Sequence, residues 1–259
     1  MSPFLRTAAL MFLVLSRAPA FAAAAPLPSS IEQNSRSTVQ NETSSRRFRH
    51  SLSGLYGIKS LSTDPIQPYS DFDELYSHSH QAQSELEALC INTALLTGST
   101  TSFAGIKSQQ RALEKINLKF NGQVNRITDI ARATIVSNDV ESLVDVYEKL
   151  SQEAEIVQVK NRFKSPKASG YRDLNLLVKL PKSEIVAEVQ LHLEAIAHVK
   201  NGKEHGWYED IQAIERQAYS QQRSLNELES AKIAMIRSQS AQLYQEAWQP
   251  YITTHIQAA

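Results

Sequence analysis

A single cysteine, Cys90, is present in 259 residues, so no internal disulfide staples the fold and a centre built from several thiolates is excluded. Net charge is also missing: 27 basic residues offset 27 acidic ones, which leaves no basic excess of the kind that marks a general nucleic-acid binder. The chain has no GxxxxGK[ST] loop, no CxxC pair and no GxSxG, so P-loop, zinc and α/β-hydrolase chemistries lack support. It has no His-Asp dipeptide, and its apolar runs are too short to span a bilayer. With 42% hydrophobic residues, there is enough apolar material for one buried domain plus extensions.

The extensions come first. Arg6 precedes an apolar run from Ala8 to Leu15, then small residues with Ala18-Pro19-Ala20 and Ala20-Phe21-Ala22 as cleavage sites, so residues 1–25 read as a secretory signal peptide. The alternative is an alanine-rich start with no targeting role. Residues 26–68 are rich in Ser, Thr, Asn, Gln and Arg, with one basic cluster from Arg46 to His50, and read as a disordered polar linker. Residues 69–259 then form the folded domain.

Inside that domain, Phe72, Leu75, Tyr76, Ala82, Leu86, Cys90 and Ala94 recur at helical spacing between an Asp71 cap and Gly98. A second helix over 106–120 carries Lys107, Arg111 and Lys115 on one face, a candidate for phosphate contact. Asp129 opens a short apolar strand to Val136, an Asn138/Asp139 cap starts a helix from Val140, and Glu155 to Lys160 reads as another strand. After Trp207 a long helical stretch runs to about Trp248 and either wraps the domain or supplies a dimer contact.

The chemistry concentrates between Val159 and Tyr208. A loop with Lys160, Arg162, Lys164 and Lys167 ends at Gly170 and enters an alternating run from Tyr171 to Leu180. Pro181-Lys182-Ser183 breaks that run, and a second alternates from Glu184 to Leu191, which together predict a β-hairpin. Its polar face holds Asp173, Asn175, Glu188 and Gln190, in a register that the pattern does not fix. A cationic loop beside carboxylates is what phosphate and metal chemistry needs.

Pro166-Lys167-x-x-Gly170-Tyr171-Arg172 followed by Glu188-Val189-Gln190 resembles the synthetase domain of the RelA/SpoT family, which moves pyrophosphate from ATP to a nucleotide 3′-hydroxyl. The likeness reaches back to Ile127-Thr128-Asp129-Ile130-Ala131 and forward to His205-Gly206-Trp207-Tyr208, roughly residues 105 to 210. It implies an α+β fold, a mixed β-sheet of the RelA/SpoT synthetase (nucleotidyltransferase-like) type flanked by helices, with a long C-terminal helix. It also implies Mg²⁺ held by Asp129 and Glu188, with Glu188 helping to activate the 3′-hydroxyl. Lys107, Lys160, Arg162, Lys164, Lys167, Gly170, Asn175, Gln190 and His192 would line the nucleotide sites. Tyr171 would stack on the acceptor base, a contact worth about 1–3 kcal/mol.

The pattern departs from the family at Gly105, Arg132, Thr134, Asp173, Asn175 and His192. The missing His-Asp pair and the short chain argue against the family's hydrolase half and regulatory domains. The expected partners are ATP and an acceptor, GDP or GTP first, with an adenine nucleotide or tRNA as alternatives, and a homo-oligomer is compatible with the helical tail. A retained fold that binds nucleotide or RNA without transfer is the competing reading. Because ATP is scarce outside cells, the signal-like start implies a secreted or periplasmic protein that acts as an effector or toxin after delivery to a target cell, without stable membrane insertion once the signal is cleaved. The alternative is a cytoplasmic alarmone synthetase.

Overall fold

The computed structural model describes residues 43–253, and the domain lies in the compact unit that begins at Arg46. The expected signal peptide and the first part of the linker lie outside the described residues. In chain order the elements are α1 (Leu52–Gly57), α2 (Phe72–Ser77), α3 (Ser79–Thr97), β1 (Thr100–Ser102), α4 (Gln109–Phe120), a 3₁₀ turn (Val124–Arg126), β2 (Arg132–Ser137), α5 (Val140–Glu153), β3 (Glu155–Asn161), β4 (Leu174–Lys179), β5 (Val186–Leu193), α6 (Glu194–Asn201), α7 (Lys203–Ser220) and α8 (Glu227–Thr253).

The five strands form one sheet in the order β1-β2-β5-β4-β3. The β2–β5 pair is parallel and the others are antiparallel, so the sheet is mixed. Alternation sorts its two faces. Ala133, Ile135, Leu174, Leu176, Val178, Ala187, Val189 and Leu191 form the apolar side of the core, and α3 and α5 pack against the sheet. The predicted hairpin is β4–β5, with Asn175 opposite Gln190 and Leu177 opposite Glu188. Its turn closes through the Leu180 amide on the Ile185 carbonyl at 3.0 Å, with Glu184 in the left-handed region.

Four expectations need correction. The helix from Asp71 to Gly98 is two helices: Asp71 caps α2 through the Glu74 amide, and the chain breaks at His78. Hydroxyls of Ser77 and Ser79 bond the Glu74 and Tyr76 carbonyls there, and the His78 ring stacks on Tyr69 at 4.6 Å. Such local bonds compete with the helical ladder. Helix α4 starts three residues later than expected because Ser108 caps it, so Lys107 lies in the preceding loop with its amide on the Ile130 carbonyl at 2.9 Å.

The long C-terminal stretch is likewise two helices. Its turn holds Gln222 at positive φ, and Asn226 accepts from the Glu229 amide. Finally, residues 51–68 are packed on the domain rather than loose. Leu55 is fully buried, Leu61 pairs with Val159, and the Gln67 side chain bonds Ile127, Val186 and the Val186 amide at 2.8–2.9 Å. Polar composition hid this, because here one amide side chain does the pairing that a strand neighbour would do.

The N-terminal segment also docks on α5. His50 places Nδ1 3.5 Å from Asp145 and Nε2 3.2 Å from Glu148, with Arg46 and Arg49 on the same carboxylates at 3.9 Å. These three residues could hold a metal ion by proximity alone. Among His50, Asp145 and Glu148, one ligand atom from each lies within 4.8 Å of the others, and the His50 Nδ1 has no hydrogen-bond partner among the described residues.

At Gly170 the backbone has φ +78°, and a Cβ would lie 2.9 Å from the Ala241 Cα on α8. Gly170→Ala is therefore expected to destabilise the domain by about 1–3 kcal/mol. Gly206→Ala, on α7 with open space around it, is expected to be neutral or stabilising by up to about 1 kcal/mol. Urea denaturation of the two variants checks the contrast.

Candidate functional site

The polar face of the sheet is built by register. One row across it is Lys160, Asn175, Gln190 and Thr134, and the next is Gln158, Leu177, Glu188 and Arg132. Lys160, Asn175, Glu188 and Gln190, all expected site residues, therefore share one surface. Asn175 Nδ2 donates to Glu188 Oε1 at 2.7 Å, a diagonal contact between the two rows. Charges that act on Lys167 and Lys200 include both Glu188 and a carboxylate not foreseen, Glu204 of α7.

The basic loop folds back over this surface. Asn161 anchors its start, donating to the Leu55 and Ile58 carbonyls and accepting from the Lys164 amide. The Gly170 amide returns to the Lys167 carbonyl at 2.8 Å and closes a tight turn. At the loop's end Asp173, fully buried, accepts from Arg162 at 2.8 and 3.0 Å and from the Tyr171 hydroxyl at 2.8 Å. Burial raises the Asp173 pKa, and Arg162 and Tyr171 oppose that rise.

The Tyr171 oxygen also lies 2.7 Å from His192 Nε2. Since the hydroxyl donates to Asp173, the ring nitrogen is the donor in this second bond, which leaves His192 Nδ1 unprotonated; it is buried without a protein partner. Burial, then Lys200 and Arg162, hold the His192 pKa well below the ordinary imidazole value, in keeping with a neutral ring.

Tyr171 itself, expected as an open platform for a base, is 8% exposed. Tyr244 of α8 meets it edge-on at 5.6 Å and Lys167 Nζ lies 5.2 Å over its ring. Stacking on a base requires these neighbours to move. Lys167 is exposed as a residue, whereas crowding around its amine, first burial and then Arg162, lowers its pKa. Solvent around the exposed side chain screens its charge. Tyr244 in turn donates to the buried Glu204 at 2.9 Å, tying α8 to α7. Lys164 is exposed beside this cluster.

Asp129 sits in the loop before β2, three residues ahead of the strand it was expected to open. Its Oδ2 accepts from Lys107 at 3.1 Å and Lys115 at 2.8 Å, while its Oδ1 is buried without a partner. The chain links it to Glu188 through Ala131, two residues on, whose carbonyl accepts the Glu188 amide at 3.1 Å. Burial alone would raise its pKa, and Lys115 and Lys107 overcome that and lower it. An unpaired carboxylate oxygen with a second carboxylate on the adjoining strand is a hard-oxygen donor set that suits Mg²⁺.

Glu204, Lys200 and Tyr244 come from elements with no chemical signature of their own. Glu204 directly precedes the His205-Gly206-Trp207-Tyr208 run, which was the one available signal; His205 itself points out and pairs with Glu209. Two open cavities of about 460 and 590 Å³ flank the other end of β3 and β4, beside Glu155, Lys179 and Glu184. No expected site residue lines them.

A lowered carboxylate pKa contributes stability above the unfolded value of 3.8, which is lost as pH falls through the folded value. Asp129→Asn is expected to cost about 3 kcal/mol at pH 7, where two lysines lose their shared anion. The gap between variant and wild type should close as pH falls below the lowered pKa. Chemical denaturation from pH 7 downward tests this, and a pH-independent gap would refute it.

Residues 105–213 match the model for the region found in RelA/SpoT proteins, spanning α4 to the middle of α7. A curated relative, the (p)ppApp synthetase toxin Tas1 of Pseudomonas aeruginosa (strain UCBPP-PA14), is 27% identical over 133 residues, 51% of this chain and 29% of that protein. The match thus spans under a third of that relative's length. A crystal structure of the type VI effector Tas1 with its immunity protein superposes with a TM-score of 0.51 at 22% identity, covering 69% of this chain and 96% of that one. Small alarmone synthetase 1 from Bacillus subtilis gives 0.48 at 20%, covering 72% and 98%. The likeness to the Tas1 structure is one of fold, a mixed five-stranded sheet flanked by helices with a long helix at the C-terminal end, and residues 105–213 are the part of this chain that is similar to the RelA/SpoT region.

Proposed function

We propose that the domain is a nucleotide pyrophosphokinase that transfers pyrophosphate from ATP to the 3′-hydroxyl of a purine nucleotide. The observation that carries this is Glu188, a half-buried carboxylate held on the polar face of the sheet among Lys167, Lys200 and Arg132, inside the RelA/SpoT region. In this reading Glu188 takes the hydroxyl proton. Arg162, Lys160, Lys164 and Lys167 bind phosphates, and Lys107 and Lys115 exchange Asp129 for the ATP polyphosphate. Asp129 and Glu188 would hold Mg²⁺, which when bound neutralises polyphosphate charge and orients the transferred group.

Guanine nucleotides are the acceptors expected from the motif resemblance, while the relative at 27% identity is named for (p)ppApp, an adenosine product. That name favours an adenine nucleotide here. Incubation with γ-labelled ATP, Mg²⁺ and, separately, ADP, ATP, GDP, GTP and tRNA decides the acceptor. Glu188→Gln is expected to lower transfer about 10²–10⁴-fold with the fold intact. If no acceptor gains label while calorimetry still shows nucleotide binding, the domain is a binding module.

Place follows from the same chemistry. The relative's solved form is described as a type VI effector, and no helix among the described residues is long and apolar enough to cross a membrane. We place the action of this protein in a target cell, after export. Fractionation of producing cells with N-terminal sequencing is expected to find a chain starting near Ala23 or Ala25 outside the cytoplasm. A cytoplasmic chain starting at Met1 would end the export reading.

A further inference from the structure

Glu188 can take a proton only if one carboxylate oxygen is free and the group stays ionised. Lys167 from the basic loop, Lys200 from α6 and Tyr208 from α7 lie close enough to interact with its charge, and Arg132 pairs with it from the neighbouring strand, yet these are long-range contacts that do not fix its orientation. A hydrogen bond from Asn175 does: its amide, on a residue only 4% exposed, donates to Oε1 at 2.7 Å across the β4–β5 pair. The bond spans two rows, so the position of the donor is set by backbone register rather than by loop geometry.

We propose that Asn175 is a positioning residue: it pins Oε1 and leaves Oε2 as the oxygen that meets the acceptor hydroxyl. This rests on the reading of Glu188 as the proton acceptor. The Nδ2 of an amide only donates, so its bond occupies Oε1 as an acceptor and orients the carboxyl group. The motif resemblance had assigned Asn175 to nucleotide contact, but its burial and its bond to Glu188 give it a different task.

Two variants test this. Asn175→Leu should lower kcat about 10–100-fold with the KM for ATP within about twofold. Asn175→His, which keeps an N–H donor, should recover most of that loss. Wild-type kcat in Asn175→Leu, or a loss that falls on the KM for ATP instead, overturns the positioning role while leaving the pyrophosphokinase reading in place. If wild type itself transfers label to no acceptor, the pyrophosphokinase reading fails and this proposal fails with it.

Discussion

The register of β4 against β5 is the constraint on which the site depends. Slipping β5 by a single residue would turn Glu188 and Gln190 into the apolar core and send Val189 to the polar face beside Asn175. Burial therefore enforces the register: Leu174, Leu176, Val178, Val189 and Leu191 are all essentially inaccessible. The polar row is positioned by the hydrophobic effect acting on the other side of the same strands, at about 1.5–3 kcal/mol per fully buried aliphatic side chain. Parallel pairing with β2 extends the row to Arg132 and Thr134 and brings Glu188 beside the end of the Asp129 loop.

A buried polar network then fixes what register alone would leave loose. Asp173 is inaccessible, and an unpaired carboxylate there would be costly, so its bonds from Arg162 and Tyr171 are needed for folding as well as for geometry. The consequence is a Tyr171 ring locked at its hydroxyl end by Asp173 and His192 and covered by Tyr244 and Lys167. The tyrosine that the motif offers as a base platform is, in this arrangement, a structural bridge. Its covering groups differ in the freedom they have. Lys167 is an exposed, flexible side chain, whereas Tyr244 is 1% exposed and bonded to Glu204.

Much of this was legible in the sequence, for reasons that differ by element. Alternation marked both strands of the hairpin, and Pro181-Lys182-Ser183 marked its turn, because period and breaker are local properties. The residues sharing the polar face followed from parity. Register did not follow, nor did the Asn175–Glu188 bond that depends on it. Lys115 could be placed by helical spacing, while Lys107 meets the same Asp129 oxygen from a loop held by the Ile130 carbonyl. Residues 51–68 read as a linker because composition reports the number of apolar side chains, not that Leu55 and Gln67 each find a specific place.

The basic loop is the part a pattern could not place, and its anchoring explains why. Its first residue, Asn161, is fastened to carbonyls of α1, from the segment read as linker. Its middle and end are fastened to α8: Phe163 packs on Trp248 at 5.4 Å, Arg172 lies 5.3 Å over the same indole, and Gly170 touches the backbone at Ala241. Two elements roughly a hundred residues upstream and seventy downstream thus hold a dozen residues that have no regular structure of their own. A loop carrying four cations would repel itself if left free, and holding it in one shape has an entropic cost that local contacts cannot offset. The contacts with α1 and α8 supply that offset, so the arrangement of charge around Glu188 depends on both ends of the domain being in place.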